Sequence, residues 1–149
     1  VIYFGLMMTA KGVKVIEYNS RFGDPEAEAV LPLLKTDLVD IVDACIDGAL
    51  DKTEVEWLNK TGFTVVVASG GYPENVVKGY PITIGDLRGV TLYHAGTAIK
   101  DGVLVTNGGR VFDVTAVADN IEEARKIVYR EIDKIKFEGA RYRSDIGRV

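Results

Sequence analysis

The stretch VIEYNSRFGDPE, residues 15–26, decides how this chain is read. Its first half alternates apolar and polar side chains as a strand does, and its second half turns and opens a helix. Glu17 and Asn19 stand two apart on that strand, so both side chains leave the same face. A carboxylate and an amide oxygen are hard donors suited to Mg2+, which keeps waters and phosphate oxygens as its other ligands. Arg21 offers a planar fork for a phosphate or carboxylate, and Gly23 lets backbone approach a ligand closely. Plainer readings compete on spacing alone. An E-x-N pair is commonly a solvated strand face. Arg21 and Asp24 can bridge each other, and Asp24-Pro25-Glu26 reads as a helix start with Asp24 as N-cap and Pro25 in the first position.

Working outward, residues 1–8 (VIYFGLMM) and 13–19 are two apolar, β-branched or aromatic runs joined by a Gly12 turn, which predicts an antiparallel hairpin. A lone two-stranded hairpin is marginal in water, so further strands are expected beside it. Most of its apolar residues are expected in a core. Pro32 is expected to interrupt the helix that begins after Asp24. A second helix follows, with Thr36 as cap and Leu38, Ile41, Val42, Cys45, Ile46 and Ala49 on one face. Cys45 is expected to be buried there. The polar run 51–54 ends that helix and marks a boundary.

Beyond residue 60 the pattern changes. FTVVVAS (63–69) and GVTLYHAG (89–96) read as strands. TAIKDGVLVT carries Asp101-Gly102 between two strand-like halves, a two-residue hairpin signal. NGGRVFDVTAVA gives a turn and a strand, and residues 120–135 give an amphipathic helix with Asn120 as cap and Glu123 three positions on. The glycine pairs in SGGYP and TNGGRV read as turns admitting positive φ, or as phosphate-cradling loops. Arg110 can reach a ribose phosphate or an internal carboxylate. His94, the single histidine, reads as structural rather than as a base. The arginines of ARYRSDIGRV read as a solvated edge or as internal ion pairs.

Composition narrows the field. The chain has 149 residues, 47% hydrophobic and 27% charged, with a net charge of −4, which speaks against a nucleic-acid partner needing a basic face. No apolar run approaches the roughly 18 residues of a membrane span, so no membrane partner is expected. One cysteine allows no internal disulfide, and a cytoplasmic setting is expected.

Taken together, the segments VIEYNSRFGDPEAEAVLPLLKTDL, VVVASGGYP, GVTLYHAGTAIKDGVLVTNGGRVFDVTAVA and EARKIVYREIDKIKFEGARYRSDIG, in that order, closely resemble the glycinamide ribonucleotide synthetases (phosphoribosylamine–glycine ligases) of the ATP-grasp superfamily. The resemblance covers essentially the whole chain. It implies an α+β fold: the C-terminal part of an ATP-grasp domain over residues 1–58, an antiparallel hairpin plus helices, followed by a small mixed α/β C-terminal domain over 59–149. It implies ligation of glycine to 5-phosphoribosylamine through a glycyl phosphate, with ATP as co-substrate and Mg2+ or Mn2+ as metal. By similarity Glu17 and Asn19 are metal ligands. Arg21 and Asp24 are catalytic and, with Gly23, substrate-binding. Leu6 or Met8 forms the floor beneath an adenine. The family's chains are much longer, so the resemblance further implies a missing N-terminal part as partner and a piece inactive alone. Two rivals stand beside it: a different ATP-grasp ligase such as a biotin-dependent carboxylase subunit, against which NSRFGDPE, HAGTA and NGGRV speak, and a non-catalytic module that docks on a partner and completes its sheet.

Overall fold

The computed structural model describes residues 1–148. Strands β1 (Tyr3–Thr9) and β2 (Gly12–Asn19) pair antiparallel, Tyr3 opposite Asn19 and Thr9 opposite Gly12. Gly12 closes the turn at φ 90°, where a side chain is strained, and the Thr9 hydroxyl donates to the Gly12 carbonyl at 2.7 Å. A bulge between Gly5 and Leu6 shifts the register. The expected core is not formed here. Phe4, Leu6, Met7, Met8, Val13, Val15 and Ile16 are exposed, because no third strand among the described residues flanks the pair.

The chain then turns into helix α1 (Glu26–Val30), and Pro32 converts its continuation into a 3₁₀ turn, Leu31–Leu33. Pro25, not Asp24, occupies the N-cap position, and no side chain caps it. The Asp24 carboxylate faces Arg110 instead. Helix α2 (Leu38–Ile46) is capped by Asp37, whose Oδ1 accepts from the Val39 N–H at 2.8 Å. Thr36, the residue expected in that role, accepts from the Glu56 N–H at 2.7 Å and ties the helix entry to the strand-like segment beyond it. The apolar stripe of α2 is present but uncovered. Leu38, Ile41, Val42, Cys45 and Ile46 line an open cavity of about 400 Å³ with Phe22, Leu31, Leu34 and Trp57. Cys45 is therefore exposed rather than buried.

The second unit is built on a three-stranded antiparallel sheet in the order β3 (Thr61–Ala68), β8 (Arg110–Ala118), β5 (Thr91–His94). One face carries Phe63, Val65 and Val67 beside Ala116, Val114 and Phe112. Helix α3 (Ile121–Ile132) lays Ala124, Val128 and Ile132 onto it, completing the core. A fully buried Val or Ile contributes about 1.5–3 kcal/mol, so this layer is where the chain's stability resides. The Asn120 carboxamide caps α3 by accepting from the Glu123 N–H at 2.9 Å. Ile135, read from the sequence as the last residue of that helix's stripe, instead leaves it and pairs in β9 (Ile135–Lys136) with β4 (Thr83–Ile84). Buried Glu131 explains the turn-away. It accepts from Arg130 Nε at 2.6 Å, Lys134 Nζ at 2.7 Å and the Arg88 N–H at 2.9 Å. Those donors, Lys134 first, hold its carboxyl down to about 2. Strands β6 (Thr97–Lys100) and β7 (Val103–Thr106) form the expected hairpin, with Asp101 at φ 50° and Gly102 at φ 77°.

Helix α1 rests on the far face of this sheet. A Cβ at Gly62 would overlap the Ala29 carbonyl oxygen, so β3 and α1 meet backbone to backbone. The sequence expectation of an α+β chain, an N-terminal hairpin with helices followed by a small mixed unit, is met.

Candidate active site

The sheet face turned away from α3 is polar. The Thr64 and Thr115 hydroxyls bond across it, and the next row pairs Val66 with Asp113 and Asp113 with Tyr93. Asp113 is 1% exposed and its Oδ1 has no hydrogen-bond partner. Burial, reinforced by the charges of Asp24 and Glu28 and opposed by Arg110, pushes its carboxyl up to about 6. Arg110 opens β8 and crosses to the other unit. Its Nη1 donates to the Asp24 carbonyl at 2.9 Å and lies 3.4 Å from the Asp24 carboxylate. Asp24, Glu28, Asp113 and Arg110 therefore gather where the turn before α1 meets the sheet.

The E-x-N strand pair ends beside that junction. Glu17 lies across from Gly5, where a Cβ would stand 2.9 Å from Glu17 Cγ, so the glycine makes room for the carboxylate's stem. Asn19 opposes Tyr3, and its Nδ2 is buried without a partner. The Tyr3 hydroxyl is pushed up by the Glu26 carboxylate first, then by burial and by Glu17. Gly23 is buried and a Cβ there would overlap Glu26 Oε2, so this glycine serves a close approach within the turn. Arg21 donates to the Phe22 carbonyl at 2.7 Å, and no Arg21–Asp24 bridge forms. Leu6 and Met8 lie beyond the bulge toward the hairpin tip, both exposed.

A divalent cation fits the strand pair on the chemistry of its donors. Glu17 and Asn19 stand two apart on one strand face, where a carboxylate and an amide oxygen are hard donors of the kind such a cation takes. Among the described residues no group of three or more His, Cys, Asp or Glu is gathered to hold a metal.

Beside Arg110 opens a cleft of about 400 Å³ lined by Val66, Ala68, Tyr72, Arg110, Arg141, Tyr142 and Arg143. A smaller hollow of about 280 Å³ adjoins it, sharing Val66 and Arg143 and reaching Pro25. Close glycine contacts pack the turns next to the cleft. Ser69 donates its N–H to Gly109 at 2.8 Å and its hydroxyl to Gly108 at 2.9 Å. A Cβ at Gly109 would overlap the Tyr72 ring, and one at Gly108 would meet Gly96 Cα at 2.9 Å. Close packing explains this glycine pair, since neither Gly108 nor Gly109 has the positive φ the sequence reading expected. His94 lies outside the cleft's lining. Its ring stacks edgewise on Phe112 at 4.9 Å and its Nδ1 is 3.0 Å from the Thr97 hydroxyl, a structural placement. Arg143 pairs with Asp145 at 2.7 Å, one of the internal ion pairs expected of the arginine-rich tail.

Glu26, Asp113, Tyr72 and Arg141 were not singled out from the sequence. Tyr72 had a signal, since its SGGYP turn was noted for its glycines.

A hairpin bearing an E-x-N pair, followed by an acid-rich turn docked on an antiparallel sheet, is the fold of the C-terminal portion of an ATP-grasp enzyme. The family model described as "Phosphoribosylglycinamide synthetase, C domain" matches residues 62–149, more than half the chain, and "Phosphoribosylglycinamide synthetase, ATP-grasp (A) domain" matches residues 1–27. The chain belongs to the phosphoribosylglycinamide synthetase family. It is 51% identical over 147 residues to a phosphoribosylamine–glycine ligase of Caldanaerobacter subterraneus subsp. tengcongensis, covering 98% of this chain and 35% of that one. It is 46% identical to the human trifunctional purine biosynthetic protein adenosine-3, covering 99% of this chain and 15% of that one. The crystal structure of phosphoribosylamine–glycine ligase from Thermotoga maritima superimposes with a TM-score of 0.76 at 37% identity, covering 97% of this chain and 36% of that one. The chain thus spans about a third of the length of the single-activity ligases it matches. No helix among the described residues is long and apolar enough to cross a membrane.

Proposed function

We propose that this chain is the C-terminal part of a phosphoribosylamine–glycine ligase, which joins glycine to 5-phosphoribosylamine at the expense of ATP. A glycine carboxylate oxygen takes the γ-phosphoryl group and ADP leaves. The sugar amine then attacks the acyl carbon of glycyl phosphate and phosphate departs with the C–O bond. The observation that carries this reading is the docking of the NSRFGDPE turn onto the C-terminal sheet through Arg110, in a chain half identical to such a ligase.

Glu17 and Asn19 would hold Mg2+ or Mn2+, which would supply positive charge to offset that of the nucleotide's phosphates. Arg21, whose Nη1 holds only a neighbouring carbonyl, grips the acyl phosphate, and Asp24 meets the sugar amine. Gly23 keeps this turn close to the reacting groups. Leu6 or Met8 floors the adenine. Residues 1–58 belong to the ATP-grasp domain and 59–149 to the C-terminal domain. The rest of the ATP-grasp fold, supplied by the longer protein, is the chain's partner, and the lone chain is inactive. The one cysteine fits work in the cytoplasm.

The exposed hairpin and the uncovered α2 stripe favour a second reading, a module that docks and completes a partner's sheet without chemistry. ADP release dependent on both glycine and phosphoribosylamine separates the two. We expect it from the complete natural chain containing these residues and not from residues 1–149 alone. No release from either leaves the docking reading.

A further inference from the structure

We propose that the cleft between Tyr72, Arg110 and Arg141 holds the phosphate monoester of the sugar substrate, an inference that rests on the ligase reading. Three arginines are among the residues lining this one cleft, in a chain whose net charge is −4. Their partners differ. Arg143 is satisfied by Asp145 at 2.7 and 3.0 Å. Arg110 shares a single nitrogen between the carbonyl and the carboxylate of Asp24, which leaves the rest of its planar fork for another anion. Arg141 has no carboxylate partner among the described residues. Two arginines lining one cleft, one without a carboxylate partner among the described residues and one half-used, suit a phosphate bound in a fork.

The cleft is built before any ligand arrives. Arg141 and Ala68 exchange backbone hydrogen bonds at 2.7 and 2.9 Å, which pin the arginine's main chain to the end of β3. Tyr72 packs its ring on the bare backbone of Gly109 and is one of the residues lining the cleft. The main chain that carries Arg141 therefore needs no ordering when such an anion binds. Val66 and Ala68 give the cleft an apolar wall, against which the carbon face of a sugar can lie. The Arg110–Asp24 contact supplies the direction. Asp24 meets the amine under the reading above, and Arg110 joins that carboxylate to the cleft. A sugar carrying an amine at one end and a phosphate ester at the other matches this order, whereas glycine, with no phosphate, does not.

Arg141→Met tests this in the complete natural chain, because it removes the unpartnered charge and leaves the Arg110–Asp24 contact intact. Ribose 5-phosphate is the probe, titrated by calorimetry with inorganic phosphate alongside. We expect the wild type to bind ribose 5-phosphate more tightly than inorganic phosphate, R141M to weaken that binding at least tenfold, and Tyr72→Phe to weaken it two- to fivefold. In steady-state assays the KM for phosphoribosylamine should rise at least tenfold in R141M, with the KM values for glycine and ATP within twofold of wild type. Ribose 5-phosphate binding unchanged in R141M, absent from the wild type, or no tighter than that of inorganic phosphate overturns the proposal, as does a matching rise in the KM for ATP. The ligase reading fails separately, if the wild type releases no ADP with glycine and phosphoribosylamine; the calorimetric comparison still decides the cleft.

Discussion

Arg110 reaches across 86 positions of sequence to hold the Asp24 carbonyl at 2.9 Å. This bond joins the turn before α1 to the first residue of β8, and two predictions separate its backbone part from its ionic part. A charged donor on a carbonyl contributes about 1.5–3 kcal/mol, whereas a half-exposed ion pair gives about 0–1 kcal/mol. Arg110→Met should therefore lower the urea-unfolding free energy by about 1–3 kcal/mol, and Asp24→Ala, which keeps the carbonyl, by less than about 1 kcal/mol. Equal losses would show that the carboxylate, not the carbonyl, is what Arg110 holds.

Asp113 makes stability depend on pH in a defined direction. Its folded-state carboxyl is raised from 3.8 to about 6, so the folded state binds the proton more tightly than the unfolded one. Its contribution is full below about pH 4 and is lost as pH rises through about 6. Asp113→Asn should be about 1–2 kcal/mol more stable than wild type at pH 7.5, after allowance for solvent screening, with no gain at pH 4. Denaturant melts at the two pH values check it. Glu131 works the other way. Its carboxyl is lowered from 4.5 to about 2, so its contribution is full above about pH 4.5 and fades only as pH falls toward 2.

Gly62→Ala should lift α1 from the sheet. The added methyl has no room beside the Ala29 carbonyl, and overpacking of this kind costs about 1–3 kcal/mol. Hydrogen exchange should report faster opening of residues 26–30 while α3 amides keep their protection. Uniform loss of protection across both helices would mean that the contact supports the whole fold rather than one docking.

Glu17→Gln and Asn19→Ala should raise the Mg2+ or Mn2+ concentration needed for half-maximal ligation at least tenfold in the complete natural chain. Both residues sit on a hairpin outside the core, so the melting temperature should stay within about 2 °C, the shift expected from less than about 0.5 kcal/mol. An unchanged metal requirement would return the pair to the solvated-face reading.

What the sequence disclosed was local. Asp101-Gly102 needs positive φ at two adjacent residues, and that chemistry is written in two letters. Asn120 caps α3 for a similarly local reason. The α2 stripe was equally legible, yet Cys45 is exposed, because a stripe shows which face seeks cover and not whether cover is present. Ile135 leaves the helix through the ties Glu131 makes to Arg88 and Lys134, one of them 43 residues away. For Glu17 and Asn19 the spacing of two shows a shared face, and their reading as metal ligands comes from the family resemblance. Arg110 was read with either a phosphate or an internal carboxylate as partner, and its pairing with Asp24 shows only where the fold brings segments 86 residues apart together. Arg141 was read with the tail's other arginines as a solvated edge or internal ion pairs, since nothing in ARYRSDIGRV reveals that Asp145 pairs with Arg143 and that Arg141 has no carboxylate partner among the described residues.

The β1–β2 pair has one further consequence. Each strand uses only one edge, so a row of backbone N–H and C=O groups lies open along both outer sides, bordered by Phe4, Met8, Val13 and Ile16. Such edges are templates for any extended segment, including another copy of the same hairpin. Produced by itself, this chain should therefore self-associate along those edges at rising concentration while its α3-packed core stays folded. Solubility and stability would then be properties of different halves of one molecule.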